Sequence, residues 1–139
     1  MPSPRNKPGI LVAGALGAVI LVGGLGGYLH HVSELRQLRH KVEAMTGGNV
    51  ERGRQAFSAY GCGACHAIPG VGGASGLVGP PLNGVGSRAV IAGKLENNPD
   101  NLKRWIMDPQ AITPGTAMPR LGVRPQAASD ISAFLYMQS

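Results

Sequence analysis

Two cysteines and a histidine lie within five consecutive residues of this chain, in the stretch YGCGACHAI that covers residues 60–68. They are Cys62, Cys65 and His66, and the 139 residues include no other cysteine. A pair of thiols at this spacing is compatible with a disulfide, a thioredoxin-like redox pair, half of a zinc site or the covalent attachment of a haem. The surrounding residues must decide among these four chemistries.

The histidine directly after the second cysteine favours haem attachment. In a C-x-x-C-H motif the two thiols add across the vinyl groups of a haem, and the histidine then lies beneath the iron. A zinc site needs two more ligands at regular spacing. A thioredoxin-like pair follows a strand, and a disulfide across so short a loop constrains little of the unfolded chain. We therefore predict one haem c, bonded to Cys62 and Cys65, with His66 as an iron ligand.

The second axial position of the iron determines whether the haem exchanges electrons or reacts with gases and peroxides. No histidine follows His66, so the candidate ligands after the motif are Met107, Met118 and Met137. Met107 and Met137 lie in predicted helices, where methionine is usually a packing residue. Met118 lies between two prolines in the irregular loop TPGTAMPRLG, whose fixed backbone angles can direct its side chain. We predict Met118 as the second iron ligand, a choice that raises the reduction potential.

The elements that position these residues are predicted to be helices joined by loops, because no alternating strand pattern is present. Residues 67–87 are too rich in glycine and proline to form a regular element. Three helices are predicted after the first 48 residues, and their caps or first residues are Asn49, Asn98 with Pro99, and Pro125. These helices hold few apolar side chains, so a bulky cofactor must complete their core.

An early block without charge, residues 10–29, is predicted to be a transmembrane anchor. As a helix its twenty residues span about 30 Å, the thickness of the hydrocarbon core of a bilayer. A cleavable signal peptide is the alternative, but the exit sequence GGYLHH lacks the small-x-small pattern of a cleavage site. Gly23 and Gly27 form a G-x-x-x-G pair that permits close contact with a partner helix.

The whole chain is thereby divided into four predicted segments. A cytoplasmic basic tail, residues 1–9, precedes the anchor. Residues 30–48 form a stalk or linker, whose apolar positions at spacings of three and four predict an amphipathic helix that the sequence TGGN ends. Residues 49–139 form the haem domain.

The net charge of +6 does not indicate a nucleic-acid-binding protein. Before residue 46 there are five basic and two acidic residues, and after it eight basic and five acidic residues. Neither part has the dense basic stripe of a nucleic-acid interface. A mildly basic solvated surface and the steering of an acidic protein partner are both consistent with this distribution.

Four sequence stretches carry a resemblance to a known family. They are GCGACH, VGPPLNGVGSR, NLKRWIMDPQ and PGTAMP, and they occur in the order and at the spacing of class I cytochromes c. The similarity covers roughly residues 49–138 and is closest to the haem c modules attached to subunit II of haem-copper oxidases, although no copper-binding domain is present. The resemblance implies an all-α class I cytochrome c fold, here preceded by the transmembrane helix.

The resemblance also implies a contact between the first and last helices of the haem domain. In this family a glycine and a phenylalanine of the first helix meet an aromatic residue of the last helix. The corresponding residues in this chain are Gly53, Phe57 and Tyr136.

Further roles around the haem are implied by the same resemblance. The carbonyl group of Pro80 binds and orients the second ring nitrogen of His66. Arg88 bonds near a haem propionate, Thr116 lies two places before the iron-binding methionine, and Trp105 lies beside that methionine. Two alternatives stay open by residue type alone. Trp105 is also consistent with a core residue that has no role at the haem, and Arg88 is also consistent with a charge on the solvated surface.

The function implied by the resemblance is one-electron transfer without a small-molecule substrate. We expect a carrier between a quinol-oxidising complex or dehydrogenase and a terminal oxidase. Because such haems are attached outside the bacterial inner membrane, we expect a single-pass protein with its haem domain on the periplasmic side. Two alternatives stay open: an integral haem c subunit of a respiratory oxidoreductase, and a haem enzyme or gas sensor with a labile sixth ligand.

Overall fold

The computed structural model describes the backbone of residues 8–138 and the side chains of residue 17 and residues 20–138. Residues 1–7 of the predicted basic tail therefore lie outside the described residues. The same holds for nine side chains of the predicted anchor at residues 10–29.

Helix α1, Pro8–Thr46, begins in the first of two compact units, which divide after Gln37. The predicted stalk continues the same helix, and nearly all side chains of residues 20–37 are exposed. Among the described residues, no helix combines the length and the apolar character that crossing a bilayer requires. A Cβ added at Gly23 or Gly27 would meet nothing within 4 Å, so the partner helix stays a prediction.

The last nine residues of α1, residues 38–46, belong to the second unit. Val42 and Thr46 are buried, and α1 ends at the predicted TGGN stop. The carboxylate of Glu43 accepts hydrogen bonds from the side-chain amide of Asn49 and from the backbone N–H of Val50. Because the end of α1 packs into the folded domain, the second unit begins at Leu38, eleven residues before the predicted boundary at residue 49.

Helices α2, Val50–Ala59, and α5, Pro125–Tyr136, pack against each other in this unit. The predicted cap of α2 is confirmed, because the side chain of Asn49 accepts a hydrogen bond from the backbone N–H of Arg52. Helix α5 begins at Pro125, as predicted, with a proline in the first turn, where no backbone donor is needed.

The contact between α2 and α5 has a different aromatic residue from the predicted one. The ring centroids of Phe57 and Phe134 lie 5.5 Å apart, and Phe134 also lies against Gly53. The predicted residue Tyr136 is therefore wrong for this position. It lies two residues after Phe134, about 200° around the helix, and its hydroxyl donates a hydrogen bond to Asn97 at 2.8 Å.

Helix α3, Pro99–Met107, and the short helix α4, Pro109–Ile112, complete the helical part. The predicted cap is confirmed, because Asn98 accepts a hydrogen bond from the third backbone N–H after it. Helix α3 ends before Pro109, where a proline cannot continue the hydrogen-bonded ladder. The largest buried side chains of the core include Phe57, Ile68 and Ile131.

A small hairpin was not predicted. Strands β1, Val90–Ile91, and β2, Leu95–Glu96, pair antiparallel with Ile91 opposite Leu95. The sequence analysis found no alternating strand pattern, and strands of two residues are too short to show one. The turn places Ala92 in the left-handed region, at φ 53°. The described part of the chain is otherwise helical or irregular, so the predominantly helical class holds.

Candidate functional site

A cavity of about 370 Å³ is lined by residues of α2, α3, α5 and the loops between them. Small-molecule sites in proteins enclose about 300–1,000 Å³. The structure brings together all eight residues that the sequence analysis assigned to the haem or its iron, and they line this cavity: Cys62, Cys65, His66, Pro80, Arg88, Trp105, Thr116 and Met118.

The cysteine motif follows α2 through a sharp change of direction. Gly61 has a left-handed backbone with φ 71°, a conformation that glycine adopts without steric cost. A 3-10 turn, Cys62–Ala64, comes next, and the backbone N–H groups of Cys65 and His66 both donate to the carbonyl of Cys62. This turn places the two thiols and the imidazole in the wall of one cavity.

The surroundings of the two thiols disfavour the alternative chemistries. Both cysteines are half-buried and unbonded, and burial raises the pKa of the Cys62 thiol to about 11. A redox-active pair needs a thiol with a lowered pKa, because the thiolate is the nucleophile. Among the described residues, no group of three His, Cys, Asp or Glu side chains is placed to hold a metal ion by itself. A zinc site of that kind is therefore not formed there.

The imidazole of His66 is oriented by the loop that follows it. Its Nδ1 lies 2.8 Å from the carbonyl oxygen of Pro80, so Nδ1–H donates and Nε2 is left to bind a metal. This is the contact that the resemblance implied. A Cβ at Gly79 would overlap the imidazole ring, so this position needs glycine. Sequence reasoning missed Gly79, although it directly precedes Pro80 in the VGPPL stretch.

The loop that contains Met118 is held by one amide side chain. Gln110 Nε2 donates to the carbonyl oxygens of Thr116 at 2.7 Å and Met118 at 2.9 Å. Its Oε1 accepts a hydrogen bond from the backbone N–H of Gly115 at 3.1 Å. The three bonds fix the backbone just before Met118 and at Met118 itself. Sequence reasoning missed Gln110, and no local pattern marks it.

Arg88 holds the loop that follows Pro80, on the side of the cavity where Pro80 contacts His66. Its Nη2 donates to the carbonyl oxygens of Pro81 at 2.6 Å and Asn83 at 3.1 Å. These bonds keep a guanidinium charge at the cavity wall, where its contact with a propionate stays a prediction. Trp105 and Thr116 are both half-buried and line the cavity from α3 and from the Met118 loop.

Comparison with known families gives an independent assignment. A family model described as cytochrome c matches residues 50–138, which is well over half of the chain and includes the whole cavity. The chain belongs to the cytochrome c family. This cytochrome c is an electron-transfer protein, and haem c is the cofactor that its family implies.

This cytochrome c is similar to two curated proteins named as an oxidase subunit and to one named as a c-type cytochrome. It is 46% identical over 79 residues to cytochrome c oxidase subunit 2 of Alkalihalophilus pseudofirmus, covering 57% of this chain and 22% of the relative. It is 33% identical over 89 residues to cytochrome c oxidase subunit 2 of Bacillus subtilis, covering 63% and 24%. It is 31% identical over 104 residues to cytochrome c-type cyt cy of Rhodobacter capsulatus, covering 66% and 49%.

The chain thus spans from about a fifth to about half of the length of these relatives. No solved structure gave a significant match.

The residues of the cytochrome c cavity fit a haem. Buried aliphatic side chains form much of its wall, among them Ile91, Leu102 and Leu135. Its polar members include two thiols, an imidazole with a free Nε2 and a thioether, which are the donors for thioether bonds and iron ligation. The hydroxyl of Thr113 is buried in this wall and finds no hydrogen-bond partner among the described residues. A bound group that brings its own acceptor would satisfy that hydroxyl.

Proposed function

We propose that this cytochrome c transfers one electron at a time from a quinol-oxidising complex or a dehydrogenase to a terminal oxidase. It does so with one haem, bonded covalently to Cys62 and Cys65. The observation that supports this proposal is the convergence of His66 and Met118 on one apolar cavity. When bound there, the haem supplies the one-electron change between ferrous and ferric iron.

The chain's own residues keep the iron ligands in place. Pro80 fixes the ring of His66, and Gln110 fixes the backbone at Thr116 and Met118. His66 and Met118 would hold the iron of a bound haem, and such a haem would offer no open position to a gas or a peroxide. This arrangement favours electron exchange over the alternative of a haem enzyme or gas sensor.

We also propose that residues 10–29 anchor the protein in the bacterial inner membrane, with the haem domain on the periplasmic side. The proposal is supported by the sequence, since these twenty residues contain no charged side chain and match the thickness of a bilayer core. Attachment of haem outside the inner membrane, which the resemblance to class I cytochromes c implies, supports the orientation. The names of the relatives support a terminal oxidase as a redox partner.

The function is tested by visible spectra of the wild-type protein and of Met118→Ala. We expect the wild type to carry the mass of one haem and to show the methionine-to-iron absorption band in its ferric form. Met118→Ala should lose that band and bind carbon monoxide rapidly when reduced. Met107→Ala, which removes a methionine from α3, is the matched control and should keep the band. A polypeptide without added mass, or an unchanged spectrum of Met118→Ala, would contradict the proposal.

A second candidate is an integral haem c subunit of a respiratory oxidoreductase, favoured by the similarity to proteins named oxidase subunit 2. Salt-washed membranes dissolved in mild detergent separate the two candidates. A carrier elutes as a free haem protein, whereas an integral subunit elutes with oxidase activity. Release by salt without detergent would contradict the membrane anchor.

A further inference from the structure

The hydroxyl of Thr113 is a polar group of the cavity wall that is buried without a hydrogen-bond partner among the described residues. Thr113 follows α4 and is half-buried, and its Oγ1 is closed off from solvent in the cavity wall. Among the described residues this atom forms no hydrogen bond. Burying a hydroxyl without a hydrogen bond is costly, so native proteins seldom leave one in that state.

The polar groups next to this hydroxyl in the chain already have other partners. The backbone N–H of Thr113 already donates to the carbonyl of Pro109, and its own carbonyl accepts from the N–H of Thr116. The side chain of Gln110 is committed to three backbone groups of the following loop. A molecule that fills the cavity can supply the missing partner.

The chemistry of a haem restricts which of its atoms can serve. The four pyrrole nitrogens are bonded to the iron, and the ring edge is hydrocarbon, so its hydrogen-bond acceptors are the two propionate carboxylates. We propose that Thr113 donates a hydrogen bond from Oγ1 to a haem propionate and so positions the haem in the cavity. This inference rests on the proposed binding of haem c and adds a propionate contact to the one predicted for Arg88.

The hydrogen bond has a consequence for the reduction potential. A donor to a carboxylate disperses its negative charge, and negative charge near the iron stabilises the ferric state. Removal of the hydroxyl concentrates that charge, so the potential should fall. A merely structural threonine would change the thermal stability without changing the potential or the vibrations of the propionate.

The test compares Thr113→Val, which keeps the shape and lacks the hydroxyl, with Thr113→Ser, which keeps the hydroxyl. Thr46→Val is the matched control, because Thr46 is also buried but bonds to the carbonyl of Val42, outside the cavity. We expect Thr113→Val to lower the potential and to shift the propionate bending band in the resonance Raman spectrum. Thr113→Ser and Thr46→Val should match the wild type in both measurements.

Two results would overturn the inference. One is a Thr113→Val protein with the wild-type potential and the wild-type propionate band. The other is a change confined to the methionine-to-iron band, which would place the hydroxyl against the sulfur of Met118. If Thr113→Val does not mature, Thr113→Ala gives the same comparison without added bulk. Because the wild type is scored for haem first, absence of haem contradicts the proposed function, whereas an unaffected variant contradicts only this inference.

Discussion

Met118 reaches the cavity from a loop, so the position of its sulfur depends on the side chain that holds that loop. In this protein Gln110 does so with two donated hydrogen bonds and one accepted hydrogen bond. The net contribution of each bond to stability is about 0.5–1.5 kcal/mol. Together they would resist the loop movement that an external ligand must cause before it replaces Met118, the proposed iron ligand.

We predict that Gln110→Leu makes the ferric haem more accessible to imidazole. Loss of the bonds should raise the affinity for imidazole by about tenfold, which corresponds to about 1.4 kcal/mol. The affinity is measured by titrating the methionine-to-iron band. Gln55→Leu, which removes an exposed amide from α2, is the control and should leave the affinity unchanged. Equal affinities for Gln110→Leu and wild type would show that the loop is held by other contacts.

The site residues differ in how far the sequence could predict them. The position of Cys62, Cys65 and His66 in the wall of one cavity was predictable, because haem attachment requires these residue types at this spacing. Met118 was predictable because it lies in a proline-bounded loop. Gln110 was not, because its role depends on the path of a loop that brings three backbone groups within reach of one amide. An irregular loop path of this kind has no repeating residue pattern from which it could be predicted.

At the level of elements, the packing of α2 against α5 depends on the absence of a side chain at Gly53. A Cβ there would overlap the carbonyl of Asp130 and lie 2.8 Å from the Cβ of Phe134. Both neighbours belong to α5, one to its backbone and one to a buried ring, so neither can move aside without shifting the helix.

We predict that Gly53→Ala destabilises the haem domain by overpacking. The expected loss is about 1–3 kcal/mol of unfolding free energy, measured by thermal unfolding of the haem-loaded protein. Gly72→Ala is the matched control, because a Cβ at Gly72 meets nothing within 4 Å and its backbone is not left-handed. If the two variants unfold at the same temperature, the close approach of the helices is not a constraint.

The elements also differ in how far the sequence could predict them. Helices α2, α3 and α5 were predictable because capping and first-turn residues mark where they begin. The hairpin was not, since two-residue strands have no periodicity to detect. The prediction of Tyr136 in place of Phe134 as the contact with α2 failed for a similar reason. Helical spacing places both residues in α5 but does not say which of them faces α2.

For the whole molecule, stability in acid depends on one buried carboxylate. Asp130 accepts two hydrogen bonds from Arg52, one from the backbone N–H of Asn49 and one from Gln126. Burial alone would raise the pKa of Asp130, but these bonds outweigh it, and the pKa lies below its usual value. The carboxylate therefore stabilises the fold above the unfolded pKa of about 3.9, and this contribution disappears as the pH falls through the lower folded pKa.

We predict that Asp130→Asn lowers the unfolding free energy at pH 7 by about 1–3 kcal/mol. The difference from wild type should persist down to about pH 4 and narrow in stronger acid. Denaturant unfolding at a series of pH values measures both effects. Asp100→Asn, at an exposed carboxylate paired with Lys103, is the control and should change stability little. A constant difference at all pH values would mean that Asp130 acts by packing and not by charge.

Gly47 and Gly48 separate α1 from α2, and in the sequence they look like a flexible link. In the structure both are held in place. A Cβ at Gly48 would overlap the carbonyl of Ser129, and the backbone N–H of Gly47 donates to the carbonyl of Glu43. Under the proposed anchoring by residues 10–29, the length of the linker is therefore counted back from Gln37, where the first compact unit ends. Under that proposal, deletions before Gln37 would shorten the reach of the haem domain, whereas substitutions that stiffen Gly47 and Gly48 would not.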